Sequence, residues 1–435
     1  MILRRLRYEI VSRLVAPALL RITKRRRSQG GTGATSPLGP PLESRHKLKE
    51  LMSAHYLGGR FADGAVPVAY VTSGFPVELL RPFGYHVVYP ENHGALCSAR
   101  RLVPQLSEVA ERAGFSRDLC GYARADLGSL LSGSTPTGRL PRPDLLGCCT
   151  NICQTVLYWY RVLADRLGVP LVLIDTPFVY GQAPRAHLDY VAAQLYEAYA
   201  TAARVAKRRA DISDLEVPIR LAAEGTQLWG ECLGLSSHRP APWTCFDGFV
   251  HMAPIVAMRG TVACNAYYRM LRDELSDRVA RGIGGIEHER HRLLWDNLPI
   301  WYQIRELATS LAAAGFNFVC ATYTDAWAEP GTTFDPHHPL ESLAMAYSHV
   351  LLNQDLKNRL RVMTELARRF QVDGAVLHSD RSCKPYSVGQ IDLKERLQRD
   401  LGIKTLILDA DHADPRAFAA AQVESRLAAF MESFR

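Results

Sequence analysis

Two cysteines of this sequence stand in loops that directly follow predicted strands. Cys153 comes after the apolar run Leu145–Cys149, and Cys383 comes after GAVLH. In open α/β sheets, ligands bind outside the carboxyl ends of the strands. A helix that begins there favours negative charge, so the loop of Cys153 would stabilise a thiolate. The equivalent positions of both residues predict a cysteine-lined cleft between two α/β domains.

Further polar side chains follow other predicted strands. Ser73 comes after VPVAYV, and Glu91 comes after YHVVY. His93 and His378 also lie near strand ends and could act as ligands or bases. A lone histidine at such a position more often has a structural role, and that alternative stays open here.

The elements that position Cys153 form a strand–helix–strand unit within residues 143–180. Thr150 supplies helix-start chemistry after the first strand. Apolar residues then recur at three- and four-residue steps as far as Gly168, which suits the end of a helix. The segment PLVLIDTP follows as a second buried strand. A parallel crossover of this kind places the Cys153 loop at a helix N-terminus.

Apolar runs alternate with helical patterns along much of the chain, which is typical of a doubly wound parallel sheet. We predict an α/β fold with two doubly wound, flavodoxin- or Rossmann-like domains. A helical region connects them, and a basic helical extension precedes them. The predicted segments are a basic amphipathic extension and linker at 1–43, a first α/β domain at 44–205, a mainly helical bridging region at 206–313 and a second α/β domain at 314–435.

The positive charge of the sequence is concentrated in its first residues. Residues 1–27 contain nine arginines or lysines and one glutamate, which equals the whole net charge of +8. The remaining chain is neutral, so the composition does not favour nucleic-acid binding. An apolar stripe on this basic segment is typical of a helix that lies on an anionic membrane or docks on a partner, and a solvated extension is the alternative. The stripe consists of Leu3, Leu6, Ile10 and Leu14.

Several classes of protein are poorly supported. The sequence has no run of about 18 apolar residues, and therefore no predicted membrane span. Ten cysteines in 435 residues are too few for a disulfide scaffold, and no signal peptide is recognisable, so a cytoplasmic location is predicted. The sequence lacks GxxxxGK[ST], HExxH and GxSxG, which argues against a P-loop nucleotidase, a zincin and an α/β-hydrolase.

Two further metal hypotheses are weakly indicated. Cys149 and Cys153 form C-x3-C, which is not the CxxC spacing of zinc sites, and no second close pair accompanies it. The aspartates of DADHADPR, at positions 409, 411 and 414, could bind a cation. We interpret them as part of the structural framework.

Six segments of the sequence, in this order, carry a resemblance to a known family. They resemble the 2-hydroxyacyl-CoA dehydratase and benzoyl-CoA reductase family, in particular the dehydratase D-component, across residues 46–434. The segments are TSGFPVELLRPFG, YPENHGALCSARR, LCGYARADLG, CCTNICQTVLYWYRVLADRLGVPLVLIDTPF, SDRSCKPYS and DADHADPRAF.

The resemblance implies an iron–sulfur subunit. In that family three separated cysteines hold a [4Fe–4S] cluster, and they correspond here to Cys120, Cys153 and Cys383. Three thiolates leave one iron without a protein ligand, free to take water or a substrate oxygen. Ser73 and Glu91 correspond to substrate-facing positions, which implies a hydrogen-bonding role for Ser73 and a proton-transfer role for Glu91.

The implied reaction is the removal of water from a 2-hydroxyacyl-CoA thioester through a ketyl radical formed by one-electron reduction. The radical makes the β proton acidic enough to leave, which the thioester alone does not. The implied partners are the acyl-CoA substrate, a related second subunit and an ATP-dependent iron–sulfur activator protein.

Three alternatives remain at this point. A benzoyl-CoA-reductase-like subunit would reduce an acyl-CoA ring instead of removing water. A non-catalytic subunit would only relay electrons, although the presence of both Ser73 and Glu91 argues against it. A non-enzymatic binding protein would be recruited through the basic tail and would contain no iron.

Overall fold

Two four-stranded parallel sheets form the framework of the protein in a computed structural model, which describes residues 2–12, 36–328 and 333–435. The first sheet has the order β2-β1-β3-β4 and the second has the order β6-β5-β7-β8. The predicted fold class, α/β with doubly wound parallel sheets, is confirmed. The strands are β1 Val68–Val71, β2 His86–Val88, β3 Leu145–Cys149, β4 Leu171–Ile174, β5 His291–Asp296, β6 Phe316–Ala321, β7 Gly374–Asp380 and β8 Lys404–Ala410.

Helices cover both sheets and connect their parallel strands. The shorter helical segments include Val77–Phe83, Ala253–Ala257, Thr322–Asp325 and Lys384–Ser387. The longer helices are Ile2–Ile10, Ser44–Gly59, Pro90–Ala99, Val103–Arg112, Gly121–Ser132, Gln154–Leu167, Arg185–Val205, Glu216–Gly234, Cys245–His251, Val262–Ala280, Ile304–Ala313, Pro339–Ser348, Leu356–Arg369, Gln390–Leu401 and Ala420–Glu432.

The cores lie on both faces of each sheet. Successive side chains of β1 alternate between two buried clusters, with Ala69 and Val71 in one and Val68 and Tyr70 in the other. Two more clusters cover the faces of the second sheet. A strand buried on both faces reads as a nearly continuous apolar run, which is why the sequence reveals most of these strands.

The strand β5 is absent from our sequence-based assignment, which treats 206–313 as mainly helical. Arg292 interrupts its apolar pattern, yet this side chain is fully buried. Its guanidinium donates to Glu289 Oε1 at 2.6 Å and to the carbonyl of Phe370 at 2.7 Å. An internal ion pair thus allows a charged residue inside a strand, which hydropathy cannot indicate. The boundaries at 43, 205 and 313 stay predictions.

Part of the N-terminal extension is described. The helix Ile2–Ile10 packs beside the first sheet, where the hydroxyl of Tyr8 lies 3.2 Å from Nδ1 of His86. Leu3, Leu6 and Ile10 are exposed. Leu14 and most of the basic residues lie outside the described residues, as does 29–35 of the predicted linker. In the described part of the chain, no helix has both the length and the apolar character needed to cross a membrane.

The strand order of each sheet reverses at one place, between β1 and β3 and between β5 and β7. Loops on either side of such a reversal diverge and leave a crevice at the carboxyl ends of the strands, where α/β proteins bind ligands. Ser73 follows β1 and Cys153 follows β3, while Cys383 follows β7. The topology thus brings predicted site residues of both sheets to the crevices.

Candidate functional site

One cavity of about 140 Å³ is lined by all five site residues that the family resemblance implies. Its lining includes residues that follow β1, β2, β3 and β7 and residues of the segments between β6 and β7. The five residues are Ser73, Glu91, Cys120, Cys153 and Cys383. The structure therefore brings together side chains that are up to 310 positions apart in the sequence.

Exposure separates these cysteines from the others. All ten cysteines are described and all are free thiols. Cys120, Cys153 and Cys383 are partly exposed, and each lines the cavity. The remaining seven are buried, and they include Cys148 and Cys149 on β3, which pack in the cores. The chain thus directs three thiols, and no other cysteine, towards one shared space.

Close packing fixes the loop of Cys120. This residue precedes the helix Gly121–Ser132, and the backbone N–H of Gly121 donates to Ser382 Oγ at 3.2 Å. A Cβ atom on Gly121 would lie 2.8 Å from the Cβ of Ala413. Arg124, one turn into the helix, donates to Asp414 at 2.7 Å. These contacts hold Cys120 against the loops after β7 and β8.

The Cys153 loop is joined to the loop after β1. The amide of Asn151 donates to the carbonyl of Gly74 at 3.0 Å and to that of Tyr347 at 2.8 Å. A Cβ on Gly74 would approach Asn151 Oδ1 to 2.2 Å, so glycine is required for this close approach. Ser73 and Cys153 are thereby held at a fixed separation.

Our expectation that the helix N-terminus favours a Cys153 thiolate is wrong for the protein alone. Cys153 does precede the helix Gln154–Leu167, and backbone N–H groups of that helix lower its pKa. Burial is the larger effect and raises the pKa of Cys153 to about 11. Burial also raises the pKa of Cys383 well above its ordinary value. These thiols need a positive partner to ionise at neutral pH.

A buried histidine that sequence reasoning missed lies behind Cys120. His412 Nδ1 is 2.6 Å from Asp380 Oδ2, and His412 Nε2 is 3.9 Å from Cys120 Sγ. Burial lowers the pKa of an imidazole, but the Asp380 carboxylate outweighs it and raises the pKa of His412 well above its ordinary value. The only sequence signal was a histidine after β8, within DADHADPR.

The aspartates of the same segment have structural partners. Asp409 accepts hydrogen bonds from Arg381 at 3.0 and 2.9 Å. Asp411 Oδ1 accepts from the backbone N–H groups of residues 413 and 414, and Asp414 pairs with Arg124. Asp380, Asp411 and His412 place ligand-type atoms within 4.8 Å of one another. The hydrogen bonds account for this cluster without an ion.

Glu91 is the carboxyl side chain that lines the cavity. Its Oε1 accepts hydrogen bonds from the backbone N–H of Ser73 at 2.9 Å and from the Ser73 hydroxyl at 3.3 Å. Its Oε2 is buried without a hydrogen-bond partner. Burial raises the pKa of Glu91 to about 7, although the hydrogen bonds from Ser73 oppose this shift. A carboxyl with such a pKa can both give and take a proton at neutral pH.

The two candidate histidines lie away from this site. His93 is fully buried, with Nε2 at 3.7 Å from the sulfur of Cys97. His378 is buried in β7, and its Nδ1 lies 2.7 Å from the carbonyl oxygen of Leu298. Neither residue lines the cavity. Their surroundings support the structural alternative.

A second cavity, of about 570 Å³, adjoins the first. Asn92 and Tyr323 line both cavities and stand at their junction. Most of the second lining is apolar, and exposed Arg101 and Arg305 are among its basic residues. The second cavity thus lies beside the one that holds the thiols, and basic side chains line part of it.

Comparisons with known proteins identify the family of the chain. The family described as "2-hydroxyglutaryl-CoA dehydratase, D-component" matches residues 72–434. The (R)-2-hydroxyisocaproyl-CoA dehydratase alpha subunit of Clostridioides difficile is 33% identical, over 90% of this chain and 96% of that protein.

Two further relatives extend the comparison. The (R)-phenyllactyl-CoA dehydratase alpha subunit of Clostridium sporogenes is 31% identical, over 88% of this chain and 94% of its own length. A benzoyl-CoA reductase subunit of Thauera aromatica is 28% identical, over 89% of this chain and 93% of that protein. The family resemblance found in the sequence is confirmed, and the chain belongs to the 2-hydroxyglutaryl-CoA dehydratase D-component family as a dehydratase-like carbon–oxygen lyase.

Proposed function

We propose that this chain is the iron–sulfur subunit of a 2-hydroxyacyl-CoA dehydratase, with Cys120, Cys153 and Cys383 as ligands of a [4Fe–4S] cluster. The observation that carries the proposal is the convergence of the three partly exposed cysteines on the cavity that also holds Glu91. Three ligands suit a cluster with one iron that no protein side chain binds.

The electrostatic surroundings of the cysteines suit an iron–sulfur cluster. Burial raises the pKa of Cys153 and Cys383, so isolated thiolates would be unfavourable here. Iron supplies the positive charge that a buried thiolate needs, and coordination removes the thiol proton. When bound, the cluster provides a low-potential electron and a Lewis-acidic iron for the one-electron ketyl chemistry.

Ser73 and Glu91 have separate roles in this proposal. Glu91 presents its unpaired Oε2 and, with a pKa of about 7, transfers a proton at the leaving α-hydroxyl or the β carbon. Ser73 holds the other oxygen of Glu91 through its backbone N–H, and its hydroxyl hydrogen-bonds within the cavity. The apolar surroundings exclude water and keep the Glu91 pKa high.

The same proposal includes partners and location. Relatives named alpha subunits imply a related second subunit here. An ATP-dependent activator would supply the electron, since the sequence has no P-loop of its own. Ten free thiols suit a reducing cytoplasm.

The second cavity gives room for the CoA arm of the substrate. The pantetheine would cross the apolar lining, and the phosphates would reach the basic rim. Reversing the charge in Arg305→Glu is therefore expected to raise the KM for the CoA thioester about tenfold with little change in kcat. Steady-state kinetics measure this, and Arg396→Glu, on the exposed side of the helix Gln390–Leu401, is the control. An unchanged KM would contradict the proposed path.

His412 acts on the cluster through Cys120 in this proposal. A hydrogen bond to a ligand sulfur stabilises the reduced state, so His412→Ala is expected to lower the midpoint potential. His412→Gln, which retains an N–H donor, should recover part of the difference. Redox titration followed by EPR measures the potential, and iron analysis checks that the cluster is retained. A potential equal to the wild-type value would exclude this role.

Anaerobic purification tests the central proposal. About four iron and four sulfide per chain are expected, together with release of water from a 2-hydroxyacyl-CoA in the presence of the partner subunit and activator. Absence of iron would overturn the cluster assignment. Reduction of an aromatic acyl-CoA, without dehydration, would identify the ring-reductase alternative instead.

A further inference from the structure

One part of the wall of the first cavity is apolar. It comes from the residues directly after the helix Thr322–Asp325, from the last turn of the helix Pro339–Ser348 and from the segment that follows this second helix. Val350 and Leu352 are only partly buried, so these side chains have surface available to a ligand. The residues of this wall are Ala326, Trp327, Ala346, Val350, Leu351 and Leu352.

Charge is scarce in this cavity. Apart from the thiols, Glu91 and Arg259 are the charged side chains among the described residues that line it. The carboxylate of Glu91 would repel a carboxylate on the acyl group of the substrate. Arg259 is therefore the candidate partner for an anionic acyl group.

Arg259 already has a buried counter-ion. Its Nε donates to Glu78 Oε1 at 2.7 Å, and both side chains are almost completely buried. Its Nη2 donates to the hydroxyl of Tyr347, which in turn donates to Glu78 Oε2 at 2.7 Å. The guanidinium also lies 5.5 Å from the ring centre of Trp327 and 5.6 Å from that of Tyr347. The pair itself is neutral and held in place from several sides, and the nearby guanidinium of Arg81, which donates to the carbonyls of residues 257 and 259, does not line the cavity.

A carboxylate brought into this cavity would lose its hydration and meet no unneutralised cation. An apolar chain would instead gain contacts with the wall. From these observations we infer that the acyl group of the substrate is uncharged and apolar, and that it lies against Val350 and Leu352. This inference rests on the proposed function, since it assigns the acyl part of the same thioester.

Binding without turnover tests the inference separately from the reaction. Hexanoyl-CoA and glutaryl-CoA lack the α-hydroxyl, so their Kd values can be measured by titration calorimetry with the anaerobically isolated, cluster-loaded complex. Hexanoyl-CoA is expected to bind about 100-fold more tightly. Equal or tighter binding of glutaryl-CoA, or binding of neither compound, would overturn the inference.

Variants locate the acyl group. Val350→Ala and Leu352→Ala are each expected to weaken hexanoyl-CoA binding about tenfold and to leave acetyl-CoA binding unchanged. Val388→Ala, at an exposed valine outside the cavity, is the matched control. Thermal unfolding and iron content identify any variant that fails to fold. With folded variants, unchanged hexanoyl-CoA affinity contradicts the assignment.

Turnover distinguishes this inference from the proposed function. If hexanoyl-CoA binds preferentially but 2-hydroxyhexanoyl-CoA loses no water in the activated complex, the apolar site stands and the proposed dehydration fails. If 2-hydroxyglutaryl-CoA is dehydrated with the higher kcat/KM, the dehydratase stands and the apolar site fails.

Discussion

Cys120→Ala, Cys153→Ala and Cys383→Ala are each expected to reduce the iron content well below the wild-type value and the dehydratase activity by more than about 10³-fold. A cube held by three thiolates has no protein ligand to spare, and the third thiolate cannot be replaced by a neighbouring cysteine. The other seven cysteines are buried in the cores rather than directed into the cavity. Iron and sulfide analysis, EPR and product release measure the losses.

Cys97→Ala is the control for these variants. Cys97 is fully buried on the helix Pro90–Ala99, the same helix that carries Glu91, but it does not line the cavity. Its replacement removes a thiol from the same region and should leave about four iron per chain. If Cys97→Ala lost iron as completely as Cys153→Ala, the ligand set would be wrong. If the three single variants kept their iron, the cluster itself would have other ligands.

The sequence predicted the fold class and the residues around the cavity because both depend on local patterns. Buried parallel strands read as short apolar runs, and the residues that follow them lie at the same sheet edge. Ser73, Cys153 and Cys383 stand in such loops, and Glu91 lies in the first turn of the helix that follows β2. Cys120 was found through the family resemblance, because it lies before a helix and not after a strand.

Features that depend on distant partners were not predictable in this way. The strand β5 contains Arg292, whose charge is neutralised by residues that only the fold brings near. His412 gains its position from Asp380 and Cys120, 32 and 292 positions away. Arg259 is paired with Glu78 at a separation of 181 residues. A single sequence gives no signal for such pairs.

The pKa of Cys153 likewise depends on parts of the fold that the sequence does not reveal. Its place at a helix N-terminus is visible in the sequence and favours a thiolate. The desolvation that outweighs this effect depends on how the two sheets and their helices enclose the loop. The sequence thus identified a residue that lines the cavity, and the structure changed the expected charge of the free thiol.

Glu91→Gln is expected to lower kcat by about 10² to 10⁴-fold while the iron content stays at the wild-type value. Glutamine retains the shape of the side chain but cannot transfer a proton. In the wild type, the pKa of about 7 predicts an activity that changes across neutral pH as Glu91 titrates. The variant should lose that inflection in its residual activity. A wild-type rate in Glu91→Gln would remove this residue from the reaction.

The ionisation of Glu91 should also affect the stability of the protein. Replacing Glu91 by glutamine, which is expected to lower the activity, is expected to raise the stability. The folded-state pKa of Glu91, about 7, lies above the ordinary value of 4.5, because burial penalises the charged form. Both folded and unfolded chains are protonated below pH 4.5, and the penalty develops as the pH rises to about 7. Glu91→Gln should therefore stabilise the protein at pH 8, by a few kcal/mol at most, and have a smaller effect at pH 5.

Thermal unfolding at the two pH values measures this difference. Glu108→Gln, at an exposed glutamate of the next helix, should change neither kcat nor the pH dependence of the unfolding temperature. An equal effect of Glu91→Gln at both pH values would show that Glu91 is ionised throughout this range. Its carboxylate could then act as a base but not as an acid, and proton delivery to the leaving hydroxyl would need another group.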